Sequence, residues 1–266
     1  MLECVVNISE GRDGLILEAL ADAAGKDLLD IHSDPDHNRS VFTMVGEDAP
    51  RRLAETAVSL MTIANHEGVH PRLGMIDVVP FVPLKTSTMA EAIRARDDFA
   101  EWVAAELEIP SFLYGPERSL PFIRKNAWTA LLPDVGGSNP HDTAGAMCVG
   151  AREPLVAYNV WLADVDIQET RRIAAHVRTE HIRTLGLQVG RYTQVSMNLI
   201  EPEVAGPDVA VAAVQKHTNI HHTELVGLLP NDVLSKIPSG QWEALDLAEE
   251  KTIEWRLENR DWRISR

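Results

Sequence analysis

The string His66-Glu67-Gly68-Val69-His70 matches a catalytic pattern letter for letter, HExxH. On a helix, two histidines one turn apart grip zinc while the glutamate acts as base, and a downstream acid such as Glu91 completes the set. The neighbouring residues argue against that reading. Gly68 weakens the required helix, and Pro71 pushes His70 out of the αR region, so the two imidazoles cannot aim at one ion. The same stretch read at greater length is His66-x-Gly68-x-His70-Pro71-Arg72-x-Gly74-x-x-Asp77. Its glycines and proline predict a tight loop entering the apolar strand Ile76–Val82, which fixes His70 and Arg72 at a sheet edge. Histidine is the side chain whose pKa suits both removal and return of a proton near neutrality. An arginine two residues away can fork a carboxylate, and Asn38-Arg39, opening a strand after a turn, offers a second guanidinium. The alternative for these arginines is structural pairing with Asp36 or Asp77. The bland alternative is that His66 and His70 are surface histidines at a helix end; the more specific expectation is metal-free general acid–base chemistry on a small anion.

A third set lies far along the chain. Gln194, Ser196 and Asn198 alternate on one face of a strand, with Val195, Met197 and Leu199 on the other. Such a row is either solvated or a hydrogen-bonding wall for a heteroaromatic ligand. No GxGxxG, Walker A or GxSxG string occurs, so phosphate cradles and nucleophile elbows have no support.

The elements that must position these groups follow from periodicity. Strands are predicted at Leu2–Ile8, Leu28–His32, Val41–Val45 and Ile76–Val82, and helices over residues 15–24 and 53–64. That is β-α-β-β-α-β, the split βαβ or ferredoxin-like order. A helix over Met89–Leu107 and a strand over Ser111–Tyr114 extend it. The order returns after residue 150, with strands at Leu155–Leu162, Leu185–Val189, Tyr192–Ile200 and Ile220–Leu228. Its helices fall at Ile167–His176 and Val209–His217. The fold class expected is therefore α/β (α+β), two ferredoxin-like units whose helix-free faces are economically covered by stacking. The Gly/Pro/Ser/Asn-rich segment Pro133–Gly145 reads as a linker or binding loop between them. Residues 241–266, with Trp242, Trp255 and Trp262, read as a terminal helix packing on the body or on a second subunit. The domains drawn are 1–150, 151–235 and a helical tail 236–266.

Composition bounds the function. The chain has 266 residues, 45 % hydrophobic and 24 % charged, which is globular rather than disordered. Its net charge of −15 repels nucleic acid and anionic membranes, so neither is an expected partner. Cys4 and Cys148 stand without a CxxC partner and read as free thiols in a reducing cytosol. No signal-like start and no long apolar run is visible, which predicts a cytoplasmic protein.

Several strings together resemble the glutamate formiminotransferase family. They are ECVVNISEG at 3–11, DPDHNRSVFTMVG at 34–46, HEGVHPRLGMIDVVPFVP at 66–83, FLYG at 112–115, PDVGG at 133–137, GAMCVGAR at 145–152, QVSMNL at 194–199 and ELVGLLP at 224–230. The resemblance implies a two-subdomain transferase with a ligand tunnel between stacked sheets, usually a homodimer. It implies transfer of the formimino group from N-formimino-L-glutamate to N5 of tetrahydrofolate, the co-substrate, in histidine breakdown. The histidine of the family's H-P-R-x-G motif is its catalytic one, here His70, and His66 matches a recurring family histidine. The family's folate-contacting loop corresponds to Gly136–Gly145, which assigns Gly136, Gly137, Ser138, Asn139, His141, Thr143 and Gly145 to folate. His32 falls where relatives carry a carboxylate near the reacting centre. The other expected substrate contacts are Asn38, Arg39, Arg72, Gln194, Ser196 and Asn198. A folate- or amino-acid-binding relative without turnover, or a transferase with another acceptor, would keep many of these groups.

Overall fold

Alternation along the strands decides which side of each sheet is packed. The computed structural model describes residues 1–64 and 66–260, which divide into two compact units, Met1–Glu153 and 154–260. In the first unit, strand β1 (Leu2–Ile8), helix α1 (Gly14–Ala24), strands β2 (Leu28–Asp34) and β3 (Arg39–Val45), helix α2 (Asp48–Leu60) and strand β4 (Ile76–Pro83) follow in order. They form the ferredoxin-like sheet order β2-β3-β1-β4. Helix α3 (Met89–Glu106), strand β5 (Ser111–Tyr114), helix α4 (Leu120–Asn126) and strand β6 (Met147–Ala151) then enlarge the sheet. Here β6 inserts between β4 and β5 and runs parallel to both.

Leu2, Cys4, Val6 and Ile8 of β1 and Phe42 and Met44 of β3 point to the helix side. They pack there on Leu20 of α1, Leu53 and Ala57 of α2, and Phe99 and Val103 of α3. Each fully buried large side chain contributes about 1.5–3 kcal/mol. The intervening residues face the other way. In the register His32 pairs with Val41 and Val41 with Asn7, while Asp34 pairs with Arg39. His32, Asn7 and Arg39 therefore share one face of the sheet. At the far end of that face α4 packs through Ile123 on Val78, Phe112 and Cys148.

The second unit repeats the plan. Strand β7 (Val156–Leu162), helix α5 (Ile167–Val177), strands β8 (Ile182–Val189) and β9 (Tyr192–Leu199), helix α6 (Pro207–Gln215) and strand β10 (His222–Val226) form an antiparallel sheet of order β10-β7-β9-β8. Val195, Met197 and Leu199 lie in its core with Ile173, Val211 and Val214. Short helices α7 (Asn231–Leu234) and α8 (Ile253–Glu258) follow.

Several sequence expectations are corrected. The second helix ends at Leu60 rather than 64, because Met61 is already extended at φ −123°. The segment 133–145 is not a linker between units, since β6 returns the chain to the first sheet after it. Strand β6 and helix α4 were both missing from the reading. The tail is not one helix. Three 3-10 turns and the six-residue α8 replace it, interrupted at Pro238 and at the left-handed Asp246. Trp242 packs against the second unit's core, which also buries Leu245 and Leu247, and Trp262 lies outside the described residues. Among the described residues no helix is long and apolar enough to cross a membrane.

Candidate active site

Three segments of the first unit converge: the turn 34–39 joining β2 to β3, the loop 61–75 leading into β4, and α4. Asp34 shapes the turn by accepting the backbone N–H of Asp36 and of His37 on one oxygen, each at 2.8 Å. Asn38 is left-handed, with φ 47°, and ties three strands of chain together. Its Oδ1 accepts from Gly11 N–H at 3.0 Å, and its Nδ2 donates to the Glu67 carbonyl at 3.0 Å. The loop can lie against the turn because residue 68 is glycine. A Cβ there would sit 2.3 Å from the His37 carbonyl oxygen. Asn38 thus acts within the site as a frame for the loop.

Residues 66–70 are not helical, so His66 and His70 do not share a helix face. Glu91, the downstream acid of the zinc pattern, is occupied otherwise. Its carboxylate accepts from Thr88 N–H at 2.7 Å and from Thr88 Oγ1 at 3.0 Å, the capping box that starts α3. The two histidines instead adopt defined and different roles. His70 Nδ1 lies 2.9 Å from the Pro71 carbonyl. A carbonyl can only accept, so the proton sits on Nδ1 and the lone pair on Nε2. Desolvation, then Arg39, hold the His70 pKa far below the usual histidine range, with Arg124 and His37 acting the same way. His37 is buried with its ring 6.3 Å from that of His70.

His66 is also kept neutral, by desolvation and then by Arg72. Its Nδ1 accepts from Arg72 Nη1, and its Nε2 lies 3.1 Å from the Asn38 carbonyl. Arg72 Nη2 further donates to the His70 carbonyl at 2.8 Å. Arg39 donates from Nη2 to Asn7 Oδ1, while its buried Nε has no hydrogen-bond partner among the described residues. Burial brings the Arg39 pKa down to about 10, with Arg124 and Arg72 adding to it and the carboxylates of Asp77 and Asp34 opposing it, which leaves it charged at neutrality. Among the described residues neither Arg39 nor Arg72 forms an ion pair with Asp36 or Asp77.

Asp77 has another partner. It accepts two hydrogen bonds from Arg124, one at 2.8 Å, and one from Leu73 N–H at 2.7 Å. Burial would lower the Arg124 pKa, but the bonds to Asp77 outweigh it and the net shift is upward. Sequence reading missed Arg124, Asn7 and His37 as parts of this constellation. The available signal for Arg124 was Ser119, which caps α4, followed by Leu120, Ile123 and Ala127 at helical spacing.

The loop 133–145 splits in its relation to these groups. Gly145, at φ 75°, pairs across an isolated bridge with Gly74, and Ala146 N–H donates to the Leu73 carbonyl at 3.1 Å. A Cβ on Gly145 would meet that carbonyl oxygen at 2.3 Å, so the close approach requires glycine. The Thr143 carbonyl accepts from Ile63 N–H at 2.7 Å, and His141 Nδ1 accepts from Ala144 N–H at 3.1 Å. His141, Thr143 and Gly145 therefore adjoin the His70 loop. Gly136, Gly137, Ser138 and Asn139 are exposed, and Gly136 lies against Pro110 and Ala104 instead.

Gln194, Ser196 and Asn198 belong to β9 of the second unit. They share a face as expected, though Gln194 is fully buried, Ser196 half-buried and Asn198 exposed. Beside them Glu224 accepts from Asn159 Nδ2 at 2.9 Å and Trp161 Nε1 at 2.8 Å, which the sequence did not suggest. Cys4 and Cys148 are both buried and unbridged. Burial pushes the Cys148 thiol up to about 12, so it is no nucleophile at neutral pH.

A neutral imidazole set beside buried guanidiniums on a ferredoxin-like sheet has the chemistry to move a proton next to an anion. Residues 1–152 match the family model described as the formiminotransferase domain, N-terminal subdomain. Over 97 % of its length the chain is 34 % identical to a glutamate formimidoyltransferase of Streptococcus pyogenes serotype M1, covering 98 % of that protein. It is 32 % identical to one of Thermoplasma acidophilum over 88 % of this chain and 89 % of the other. It is 31 % identical to the formimidoyltransferase-cyclodeaminase of Sus scrofa over 86 % of its length, spanning half of that longer protein. The chain belongs to the formiminotransferase family.

Proposed function

We propose that this protein is a folate-dependent glutamate formimidoyltransferase, moving the formimino group of N-formimino-L-glutamate to N5 of tetrahydrofolate. The observation that carries the reading is His70, whose Nδ1–H is committed to the Pro71 carbonyl while Nε2 remains a neutral base. N5 attacks the amidine carbon, forming the new C–N bond, and the C=N electron pair moves onto the imino nitrogen. His70 Nε2 takes the proton from the positively charged N5. It then returns a proton to the glutamate nitrogen, the old C–N bond breaks, and the C=N bond re-forms as glutamate leaves. Arg39 and Arg72 hold the donor's carboxylates. His32, on the Arg39 face of the sheet, is assigned to the acceptor in this reading, and the loop segment His141–Gly145 contributes to folate binding. Gly136–Asn139 add to the folate contacts in this reading, and the Gln194, Ser196 and Asn198 row of the second unit is proposed by itself as a folate-contacting face. The proposal extends to a homodimer acting in the cytoplasm, as the resemblance implies.

Calorimetric titration with 5-formyltetrahydrofolate, a stable mimic of the product, tests the acceptor. Saturable binding in the tens of micromolar is expected; an aromatic contact is worth about 0.5–1.5 kcal/mol, and the loop GGSNPHDTAG has none to offer. Silence at millimolar ligand with retained formimino transfer to another amine would replace folate by that acceptor. The arginines are tested by kinetics. A charge-assisted hydrogen bond contributes about 1.5–3 kcal/mol, so Arg39→Ala and Arg72→Ala should each raise the donor KM about ten- to a hundredfold. Lost thermal stability with an unchanged KM would make them structural instead.

A further inference from the structure

The guanidiniums around His70 are held in two different ways. Arg124 is matched by the full carboxylate of Asp77. Among the described residues the hydrogen bonds of Arg39 and Arg72 go to neutral acceptors, with Asp77 acting on both only at longer range: the Asn7 amide oxygen for Arg39, and the His66 ring nitrogen with the His70 carbonyl for Arg72. An arginine only donates, so His66 Nδ1 must carry a lone pair. The ring proton is then on Nε2, pointed at the Asn38 carbonyl. His66 can make both contacts only as the uncharged tautomer.

Position 7 makes the same point by contrast. Asn7 is 8 % exposed on the face of β1 that it shares with Arg39. Aspartate has almost the same shape and would form a charge-assisted pair with the buried guanidinium, the stronger of the two bonds. An amide there holds the same geometry and leaves the charge in place. The buried Nε of Arg39, without a hydrogen-bond partner among the described residues, points the same way, because an unmet donor of a charged group is a place for an incoming acceptor.

We infer that Asn7 and His66 are positioning residues that orient Arg39 and Arg72 through neutral acceptors, leaving both guanidiniums open to direct ion pairs with a substrate bearing two carboxylates. The inference rests on the anion-binding reading given under Proposed function. It adds the reason that a chain of net charge −15 can still attract a dianion at this site: the hydrogen bonds of the nearby carboxylate of Asp77 go to Arg124, and the other two guanidiniums donate to an amide, a carbonyl and an imidazole.

The test is Asn7→Asp in the full-length protein, read by steady-state kinetics with N-formimino-L-glutamate and by thermal melting. Neutralising Arg39 should raise the donor KM about tenfold, with kcat lowered far less, while Tm holds or rises. A raised Tm with an unmoved KM would show Asn7 to be scaffolding and overturn the inference. Should Asn7→Asp fail to fold, His66 decides. His66→Ala should raise the donor KM about tenfold, and His66→Asn, which restores a neutral acceptor at the place of Nδ1, should bring it back within about threefold. Equal KM values for both His66 variants and the parent would sink the proposal. Arg39→Ala and Arg72→Ala run alongside separate the two failures. If they leave KM unmoved, the anion-binding reading itself falls; if they raise it while the Asn7 and His66 variants do not, only the present inference does.

Discussion

His70→Ala is expected to lower kcat by about 10²–10⁴ while the protein still folds, the range that a positioned acid–base group contributes. The side chain is half-buried and its Nδ1 contact is to its own neighbour, so truncation removes no long-range strut. The loop keeps the Arg72 bond to the residue 70 carbonyl, which is backbone and survives the substitution. A loss under about threefold would remove His70 from the chemistry. The pH profile gives a second measurement. Desolvation and the neighbouring guanidiniums hold the His70 pKa down, so the base is already unprotonated throughout the neutral range. The acid limb of kcat assigned to His70 should therefore fall below the ordinary histidine value of about 6.5 and vanish in His70→Ala. The sign for stability is also fixed. The unfolded chain binds this proton at a higher pH than the folded one, so His70 costs no stability at neutral pH and makes it fall as pH drops through the unfolded value.

Asp77→Ala carries the second large effect, this time on folding. Asp77 is 2 % exposed and serves Arg124 twice and Leu73 N–H once. Removing it leaves a nearly buried guanidinium and a backbone donor without their acceptor. Breaking one side of such a pair costs about 3–5 kcal/mol, because the surviving charge stays buried. A domain of this size should lose roughly 6–20 °C in Tm, measured by calorimetry or circular dichroism. Asp77→Asn should lose less, since an amide oxygen still accepts one bond. A shift of under about 2 °C for Asp77→Ala would mean that solvent reaches Arg124 and that the pair does not hold α4 to the sheet.

The two experiments probe different links of one chain of cause. Asp77 stands at the start of β4 and Arg124 on α4, so their pair fixes where a distant helix sits on the sheet. Its second product is electrostatic. With Asp77 committed to Arg124, neither Arg39 nor Arg72 has a carboxylate hydrogen-bond partner among the described residues, and desolvation, then the charge of Arg39, keeps His70 neutral.

The sequence alone determined both ferredoxin-like repeats, because strand period 2 and helix period 3.6 are local properties of residues such as Leu2 to Ile8 and Leu53 to Ala57. It also determined the loop character of residues 66–74, since Gly68 and Pro71 forbid the helix that HExxH would need. His70, Arg72 and Asn38-Arg39 were legible because motif and turn chemistry place them beside predicted strand ends. What only the tertiary structure decided was pairing across long separations. The partner of Asp77 is 47 residues away on a short helix that periodicity did not reveal. Arg39 meets Asn7 across 32 residues, through a strand register that no local pattern specifies. Strand β6 was hidden because a five-residue buried strand shows no alternation, and its place between β4 and β5 is set by parallel pairing to both. Local sequence fixes which groups exist and what backbone carries them. Which charge faces which is settled where the chain crosses itself, and there it kept the His70 imidazole neutral and gave the carboxylate of Asp77 to Arg124 while Arg39 and Arg72 donate to neutral acceptors.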